Sequence, residues 1–185
     1  IVKCCDKYSV RDFLNSIDLK NYQSNLIGVW DNPDDIIWDS LPGKFALKNS
    51  NGCGYNIICK NKSALDEAST KKLLKKWLKD EFGCYNAEPH YNVGKKKIIC
   101  EEYIDSKEVL PIDYKVHCMN GEPSVIQVCA ERTSKTINNT YYNTKGEPLK
   151  YGIALNSHCL DLSTDLMVDM INVGKKVAEH FPYVR

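Results

Sequence analysis

Apolar and polar positions along the chain form short strand-like runs separated by longer stripes with helical spacing. The runs predict strands at 25–30, 44–48, 55–60, 97–104, 113–121 and 123–132. Helical spacing predicts helices at 6–17, 63–83 and roughly 161–181. Helices and antiparallel strands in this order predict an α+β chain with two β-containing lobes.

The predicted helices have identifiable caps and buried faces. Asp6 is the predicted N-cap of the first helix, and Ser63 that of the second, which we expect to end near Gly83. The predicted buried residues are Leu74, Trp77 and Leu78 in the second helix, and Leu166, Met170, Val173, Val177 and Phe181 in the last. The lysine run of the second helix is more often a solvated face than an anion site.

The segment KFALKNSNGCGYNII, residues 44–58, predicts two strands joined by a polar turn. Asn51-Gly52 is typical of a β-hairpin with a positive φ at the glycine. Gly52 and Gly54 behind Lys48 also fit a turn whose main-chain N–H groups, together with an ammonium, bind phosphate. Both interpretations remain open, because a hairpin turn can itself cover a phosphate.

Charged residues interrupt the apolar strands at several places. Each could be an exposed charge at a strand end, but together they suggest lysines and an arginine that converge on a polyphosphate. The residues concerned are Lys48, Glu101, Glu102, Asp113, Lys115 and Arg132.

Composition excludes several classes of function. The 185-residue chain is 43% hydrophobic and 26% charged, which is typical of a globular protein. Its net charge of +1 gives no case for nucleic-acid binding, and no apolar run is long enough for a transmembrane segment. The nine cysteines form no CxxC pair, which favours reduced thiols and a cytoplasmic location. The four histidines have no metal-ligand spacing, so we expect no protein metal site from them.

Five segments taken in order resemble the ATP-grasp family, and more narrowly the TupA-like group. They are DKYSVRDFL, LPGKFALKNSNGCGYNIICKNKS, IICEEYI, DYKVHCMNGEPSVIQV and FPYVR. That group is linked to teichuronopeptide and other cell-surface polysaccharide synthesis, and its members are often labelled glycosyltransferases. The resemblance covers essentially the whole chain, and its specificity lies in the order of the motifs.

The resemblance implies an ATP-grasp fold in two lobes with ATP between them and Mg²⁺ as the metal cofactor. It divides the chain into an N-terminal helix and connecting segment (1–43), a lobe with the glycine loop (44–103) and a second lobe (104–185). In the family, an Asp and a Glu-bearing strand that hold magnesium follow the FPYVR segment. We therefore expect the second lobe to be incomplete and the chain to be a fragment.

The same resemblance assigns the site residues. Nucleotide-binding roles fall to Lys7 and Lys48, to the phosphate loop of Asn51, Gly52, Cys53 and Gly54, and to the adenine hinge of Glu101, Glu102, Tyr103 and Ile104. The catalytic candidates are Lys115, Arg132 and Arg185. Cys53 between the two glycines departs from the more glycine-rich loop of the family.

The implied activity is an ATP-dependent carboxylate–amine ligase that forms an acyl phosphate. The implied partners are a nucleotide, a carboxylate-bearing sugar or polysaccharide, and an amino-acid acceptor. The alternatives are a nucleotide-binding module without catalysis and a glycosyltransferase of polysaccharide biosynthesis. The sequence contains no D-x-D motif to support glycosyl transfer.

Overall fold

The chain divides into two compact units, Ile1–Tyr103 and Ile104–Arg185. The structure is a computed structural model that describes residues 2–106, 110–130, 138–150 and 163–185. Each unit combines an antiparallel sheet with helices. The architecture is therefore α+β, as the sequence predicts.

The first unit is built on a four-stranded antiparallel sheet. Its strands are β1 (Leu26–Trp30), β2 (Phe45–Asn49), β3 (Asn56–Cys59) and β4 (Ile98–Glu102), in the spatial order β1-β4-β2-β3. β4 lies between β1 and β2 and pairs with both. Because β1 precedes residue 44, the N-terminal 43 residues contribute a strand to the same sheet as the glycine turn.

One face of this sheet carries the apolar core of the first unit. Phe45, Leu47, Ile98 and Cys100 are fully buried there. Side chains alternate between the faces of a strand, so Lys48 lies on the opposite face from Leu47. Alternation in the short segment FALKN thus separates the core from a charged surface.

The helix that covers this core is shorter than predicted. α3 spans Glu67–Lys79, and its N-cap is Asp66, whose carboxylate accepts the Ser69 N–H at 3.0 Å. The prediction of Ser63 as the cap was wrong, because Ser63 lies in a separate 3-10 helix, Lys62–Ala64. Asp80 leaves the helical conformation, with φ −71° and ψ 138°, and ends α3 before Gly83.

Short helices make up the rest of the first unit. Within the predicted helix 6–17, only α2 (Val10–Ser16) is α-helical, and a separate short helix, α1 (Val2–Cys5), precedes the predicted range. The Asp6 carboxylate accepts the N–H groups of Tyr8 and Ser9, so it caps the turn that leads into α2. The remaining elements are α4 (Phe82–Tyr85) and 3-10 helices at Lys20–Tyr22, Pro33–Asp35, Trp38–Ser40 and Pro89–Asn92.

The second unit is a five-stranded antiparallel sheet covered by one helix. Its strands are β5 (Asp113–Met119), β6 (Glu122–Ala130), β7 (Asn138–Asn143), β8 (Pro148–Leu149) and β9 (Tyr183–Val184), in the order β8-β7-β6-β5-β9. Asn120 and Gly121, with φ of 51° and 85°, form the predicted two-residue turn between β5 and β6.

α5 (Thr164–Ala178) packs on this sheet through a stripe that differs from the predicted one. Met170 contacts the core of Ile126, Val128 and Tyr142. Met167 is buried, whereas Leu166 is 37% exposed, so the prediction that Leu166 lies on the buried face was wrong. α5 also ends at Ala178, before the predicted limit at 181. No helix in the described ranges is both long and apolar enough to cross a membrane.

The two adjacent leucines of α3 test which face supports the fold. Leu74 is fully buried in the core of the first unit, and Leu73 is 39% exposed. Leu74→Ala should lower the free energy of unfolding by about 2–5 kcal/mol, since it removes packed methyl groups and leaves a cavity. Leu73→Ala should change it by less than about 0.5 kcal/mol. Urea unfolding followed by circular dichroism measures both, and equal losses would contradict the assignment of the faces.

Candidate functional site

The turn between β2 and β3 is anchored at its beginning and open at its end. Asn51 and Gly52 are buried, whereas Cys53 and Gly54 are exposed. Both glycines have positive φ, 77° at Gly52 and 80° at Gly54. Glycine adopts this conformation without strain, so the backbone of the turn requires glycine at both positions.

Aromatic side chains and one amide hold the buried half of the turn. A Cβ at Gly52 would lie 3.0 Å from ring atoms of both Phe82 and Tyr55. The Asn51 side-chain amide donates to the Tyr91 carbonyl at 2.9 Å. The turn is therefore packed against the segment that contains α4, and a side chain at Gly52 would push it away.

Lys7 braces the turn from the carbonyl side. Its ammonium donates to the carbonyl oxygens of Gly52 at 2.7 Å, Asn49 at 3.2 Å and Ser50 at 3.4 Å. Burial lowers the pKa of Lys7 from its ordinary value, and this is the largest influence on it. Lys7, to which the resemblance gives a nucleotide-binding role, therefore donates to three main-chain carbonyl oxygens here.

The N–H groups of the turn have no such partners. Within the described ranges, the main-chain N–H groups of Asn51, Gly52, Cys53 and Gly54 donate to no other residue. The sign of φ alternates along these four residues, because only the two glycines are positive. Successive N–H groups in alternating conformations form a concave nest that favours an anion. Lys7 binds the carbonyl oxygens of the turn, and the N–H groups of residues 51–54 remain available to bind an anion.

Glu101 is the centre of a partly buried charge cluster on the face opposite the apolar core. Its carboxylate accepts from Lys48 Nζ at 2.5 Å and from Arg11 Nη1 at 3.2 Å. Only 9% of the Glu101 side chain is exposed, compared with 30% of Lys48. Arg11 also donates to the Ser24 carbonyl at 2.5 Å. The cluster ties α2, β2 and β4 together.

The remaining hinge candidates have their own contacts. Glu102 accepts from the main-chain N–H and the side-chain amide of Asn25, at 3.0 and 2.8 Å, and these bonds hold the pKa of its carboxyl below the usual value. The Lys44 ammonium lies 5.4 Å from the centre of the Tyr103 ring. Ile104 begins the second unit and is 57% exposed.

The catalytic candidates of the second unit lie in different parts of the chain. Lys115 lies in β5 directly opposite Gln127 of β6, and its side chain pairs with no residue in the parts of the chain that the structure describes. Arg185 is exposed at the end of the chain, after β9. Arg132 lies outside the described residues.

A row of hydrogen bonds crosses the sheet beside Lys115. His117 Nδ1 lies 3.0 Å from the Tyr183 hydroxyl, and His117 Nε2 lies 3.3 Å from Gln127 Oε1. The Gln127 amide donates to Asn139 Oδ1 at 3.1 Å. The row engages the side chain directly opposite Lys115 and leaves the lysine itself without a described partner.

Sequence reasoning missed three contributors to the first-unit site. Arg11 is four residues after Lys7 in DKYSVRDFL, but its carboxylate partner is 90 residues away. Tyr55 and Phe82, which pack on Gly52, are likewise distant in sequence. Lys7 and Arg11 are four residues apart, which would place them on one side of a helix. This spacing is the only signal in the sequence that could have suggested Arg11 as a site residue.

The described residues supply no metal centre. Among the ranges with assigned positions, no group of three or more His, Cys, Asp or Glu side chains could hold a metal ion. All eight cysteines in these ranges are free thiols, and Cys159 lies outside them. Burial, followed by the nearby Glu101 charge, raises the pKa of Cys100 to about 12.

Removing one cation from the charge cluster should destabilise the first unit. Arg11→Met leaves the buried Glu101 carboxylate with Lys48 alone, and we expect a loss of about 3 kcal/mol in the free energy of unfolding. Glu101→Gln added to Arg11→Met should recover part of this loss, since a neutral amide needs less compensation. Lys20→Met, at an exposed lysine, is the control. Additive effects in the double variant, measured by urea unfolding, would contradict the coupling.

The comparisons with known proteins agree with the arrangement of these motifs. The family model described as TupA-like ATPgrasp matches residues 1–185, the whole chain. A comparison with curated proteins finds no match. The match extends from the Lys7 turn to the closing FPYVR segment and includes the glycine turn, the β4 segment and β5. The chain belongs to the TupA-like ATP-grasp family.

Proposed function

We propose that this protein is an ATP-dependent ligase of the ATP-grasp type and that its glycine turn binds the phosphates of ATP. The observation that carries the proposal is the set of four consecutive N–H groups, at residues 51–54, without acceptors among the described residues. Alternating signs of φ let such groups converge on an anion, and phosphate oxygens are suitable acceptors. Family membership independently favours a nucleotide as the substrate.

Lys48 supplies the positive charge next to this nest. An ammonium has three N–H donors, and the Glu101 carboxylate accepts one of them. The Lys48 side chain is also 30% exposed, so its remaining donors can contact a ligand. Its position near the end of β2 places it beside the turn. We propose that Lys48 binds a phosphate while Glu101 fixes its direction.

The hinge residues are proposed to hold adenine. The main chain at Tyr103 and Ile104 follows directly after β4. Extended backbone at a strand end presents an N–H and a carbonyl that match the edge of a flat base. The resemblance gives Glu101 and Glu102 to the same hinge, with an acidic residue near the ribose.

The proposed reaction has two displacements. A carboxylate oxygen attacks the terminal phosphorus of ATP, ADP leaves, and an acyl phosphate forms; an amine then attacks the acyl carbon and inorganic phosphate leaves. The protein contributes positioning and electrostatic stabilisation of the transferred group. We assign Lys115, Arg132 and Arg185 to that group on the basis of the resemblance.

The two carboxylates of the hinge are not available as magnesium ligands. Glu101 is bound by Lys48 and Arg11, and Glu102 by Asn25. Each is therefore committed to protein donors, and neither is grouped with other ligands.

The acid and amine are proposed from the resemblance alone. A uronic-acid carboxylate on a cell-surface polysaccharide and an amino acid would be joined by an amide bond. Two alternatives differ from this in their products: a nucleotide-binding module releases none, and a glycosyltransferase releases a nucleotide from a sugar nucleotide. ADP release that needs both an acid and an amine distinguishes the ligase.

Alanine at Gly54 should weaken ATP binding. No atom lies within 4 Å of a Cβ placed there, so the effect comes only from φ, which is 80°. Strain of about 1–2 kcal/mol should be relieved by turning the N–H away from the nest, and we expect about tenfold weaker binding in calorimetry.

Gly43→Ala is the matched control for this substitution. A Cβ added at Gly43 would likewise meet no atom within 4 Å, and the φ of Gly43 is not positive. Binding by this variant should equal that of the unsubstituted chain. If both variants bind ATP with the same dissociation constant, the turn is not the phosphate site.

ATP should protect Cys53 from alkylation. Cys53 and Cys84 are both exposed, whereas Cys100 is buried and its pKa is raised to about 12. At pH 8 the thiolate is the reactive form, so Cys100 should be labelled last. With iodoacetamide and peptide mass spectrometry, ATP should slow labelling at Cys53 and leave Cys84 unchanged. Equal protection of both would indicate a general change in stability instead of a ligand over the turn.

A further inference from the structure

Lys115 differs from the other half-buried lysines of the described ranges because its ammonium has no oxygen partner. Lys115 is half-buried, yet it forms no hydrogen bond or ion pair with a described residue. Partial burial takes water away from an ammonium, so an acceptor from outside the described protein would lower the free energy of this lysine. The other half-buried lysines each bind a main-chain carbonyl or a carboxylate; they are Lys7, Lys48, Lys62, Lys71, Lys96 and Lys97.

A suitable acceptor within the protein lies directly across the sheet from Lys115. Lys115 of β5 and Gln127 of β6 form a cross-strand pair, and the Cβ atoms of such a pair are about 5 Å apart. The side-chain oxygen of a glutamine is then within reach of the lysine ammonium. Val116 lies against Gly174 of α5, so Lys115 and His117 lie on the opposite face of the sheet.

The hydrogen bonds of Gln127 explain why its oxygen does not bind Lys115. The Gln127 amide nitrogen donates to Asn139 Oδ1 at 3.1 Å, so its oxygen accepts from His117 Nε2, at 3.3 Å. The Tyr183 hydroxyl lies 3.0 Å from His117 Nδ1, and by donating there it keeps the imidazole proton on Nε2. Both ends of the Gln127 amide are therefore bound to residues other than the lysine.

We propose that His117 is a positioning residue, which keeps Lys115 free to bind a phosphate by holding the oxygen of Gln127. Without the imidazole, this oxygen needs another donor, and Lys115 lies directly opposite. The lysine would then bind a phosphate only after breaking a hydrogen bond with its neighbour. The inference rests on the proposed function, in which Lys115 contacts the transferred phosphate.

Acetylation of lysines tests the positioning role without any nucleotide. An ammonium that donates to a neighbouring oxygen reacts more slowly with acetic anhydride, and peptide mass spectrometry compares Lys115 with the exposed Lys145. H117F keeps a ring beside Tyr183, whose ring centre lies 6.3 Å from that of His117, but removes the donor to Gln127. We expect acetylation of Lys115 to slow by about fivefold, which corresponds to one net hydrogen bond.

A second substitution should rescue this variant. H117F/Q127L should restore the acetylation rate of Lys115, because leucine offers no oxygen to the lysine. If His117 only stabilised the sheet, the double variant would be no better than H117F. A double variant in which Lys115 stays slow would therefore overturn the proposal.

Two further variants control for the site of substitution. The Ser124 hydroxyl donates to the main-chain carbonyl of His117 at 3.0 Å, so S124A removes a bond to His117 but leaves the imidazole unchanged. S124A should not alter acetylation of Lys115. Q127E places a carboxylate opposite Lys115 and should slow its acetylation even with His117 present. Circular dichroism checks that each variant is folded. Unchanged reactivity of Lys115 in H117F, or in Q127E, would overturn the proposal.

Calorimetry with ATP tests the ligand separately from the positioning. H117F should weaken ATP binding by about fivefold, and H117F/Q127L should recover it. Adding H117F to K115Q should change nothing further. If K115Q binds ATP normally while H117F still slows acetylation, the positioning role stands and the assignment of Lys115 to ATP is wrong. If ATP binding depends on Lys115 but H117F leaves acetylation unchanged, the positioning role is wrong and the proposed function stands.

Discussion

The first unit depends on keeping one carboxylate ionised away from water. Glu101 lies within β4 with 9% of its side chain exposed, and two cations from different elements surround it. A buried charge without partners lowers the free energy of unfolding by several kcal/mol. Loss of both Lys48 and Arg11 from contact with Glu101 would therefore destabilise the sheet. Because Arg11 of α2 must contact Glu101, α2 lies over the face of the sheet that carries Lys48. The position of the charged residues near the glycine turn therefore follows from the electrostatics of a single glutamate.

The glycine turn separates its acceptors from its donors. Lys7 takes the carbonyl oxygens of Asn49, Ser50 and Gly52, and the aromatic rings of Tyr55 and Phe82 close the space beside Gly52. The N–H groups on the other side have no described acceptor. A turn braced in this way needs little reorganisation to accept an anion, which reduces the entropic cost of binding.

Sequence patterns predicted β1 to β6, because alternation and the Asn-Gly dipeptides are local signals, but not the other three strands of the second sheet. Asn120-Gly121 forms the turn that its composition favours, and Gly52 has the positive φ that it favours. The errors were at helix ends and on a helix face: Asp66 caps α3 instead of Ser63, and Met167 is buried instead of Leu166. Two possible caps three residues apart, such as Ser63 and Asp66, differ little in local free energy. The same holds for two apolar stripes of a helix that are shifted by one residue, such as those of Leu166 and Met167. The pairing of Arg11 with Glu101 could not be predicted, since it joins segments 90 residues apart.

The hydrogen bonds around His117 run in one donor-to-acceptor direction across the second sheet. Because the Gln127 amide nitrogen donates to Asn139, its oxygen must accept, and a neutral His117 therefore carries its proton on Nε2. Nδ1 is then the acceptor of the Tyr183 hydroxyl. The side chains of Tyr183, His117, Gln127 and Asn139 therefore form one continuous hydrogen-bonded chain from β9 across β5 and β6 to β7, and each donor in it points towards β7.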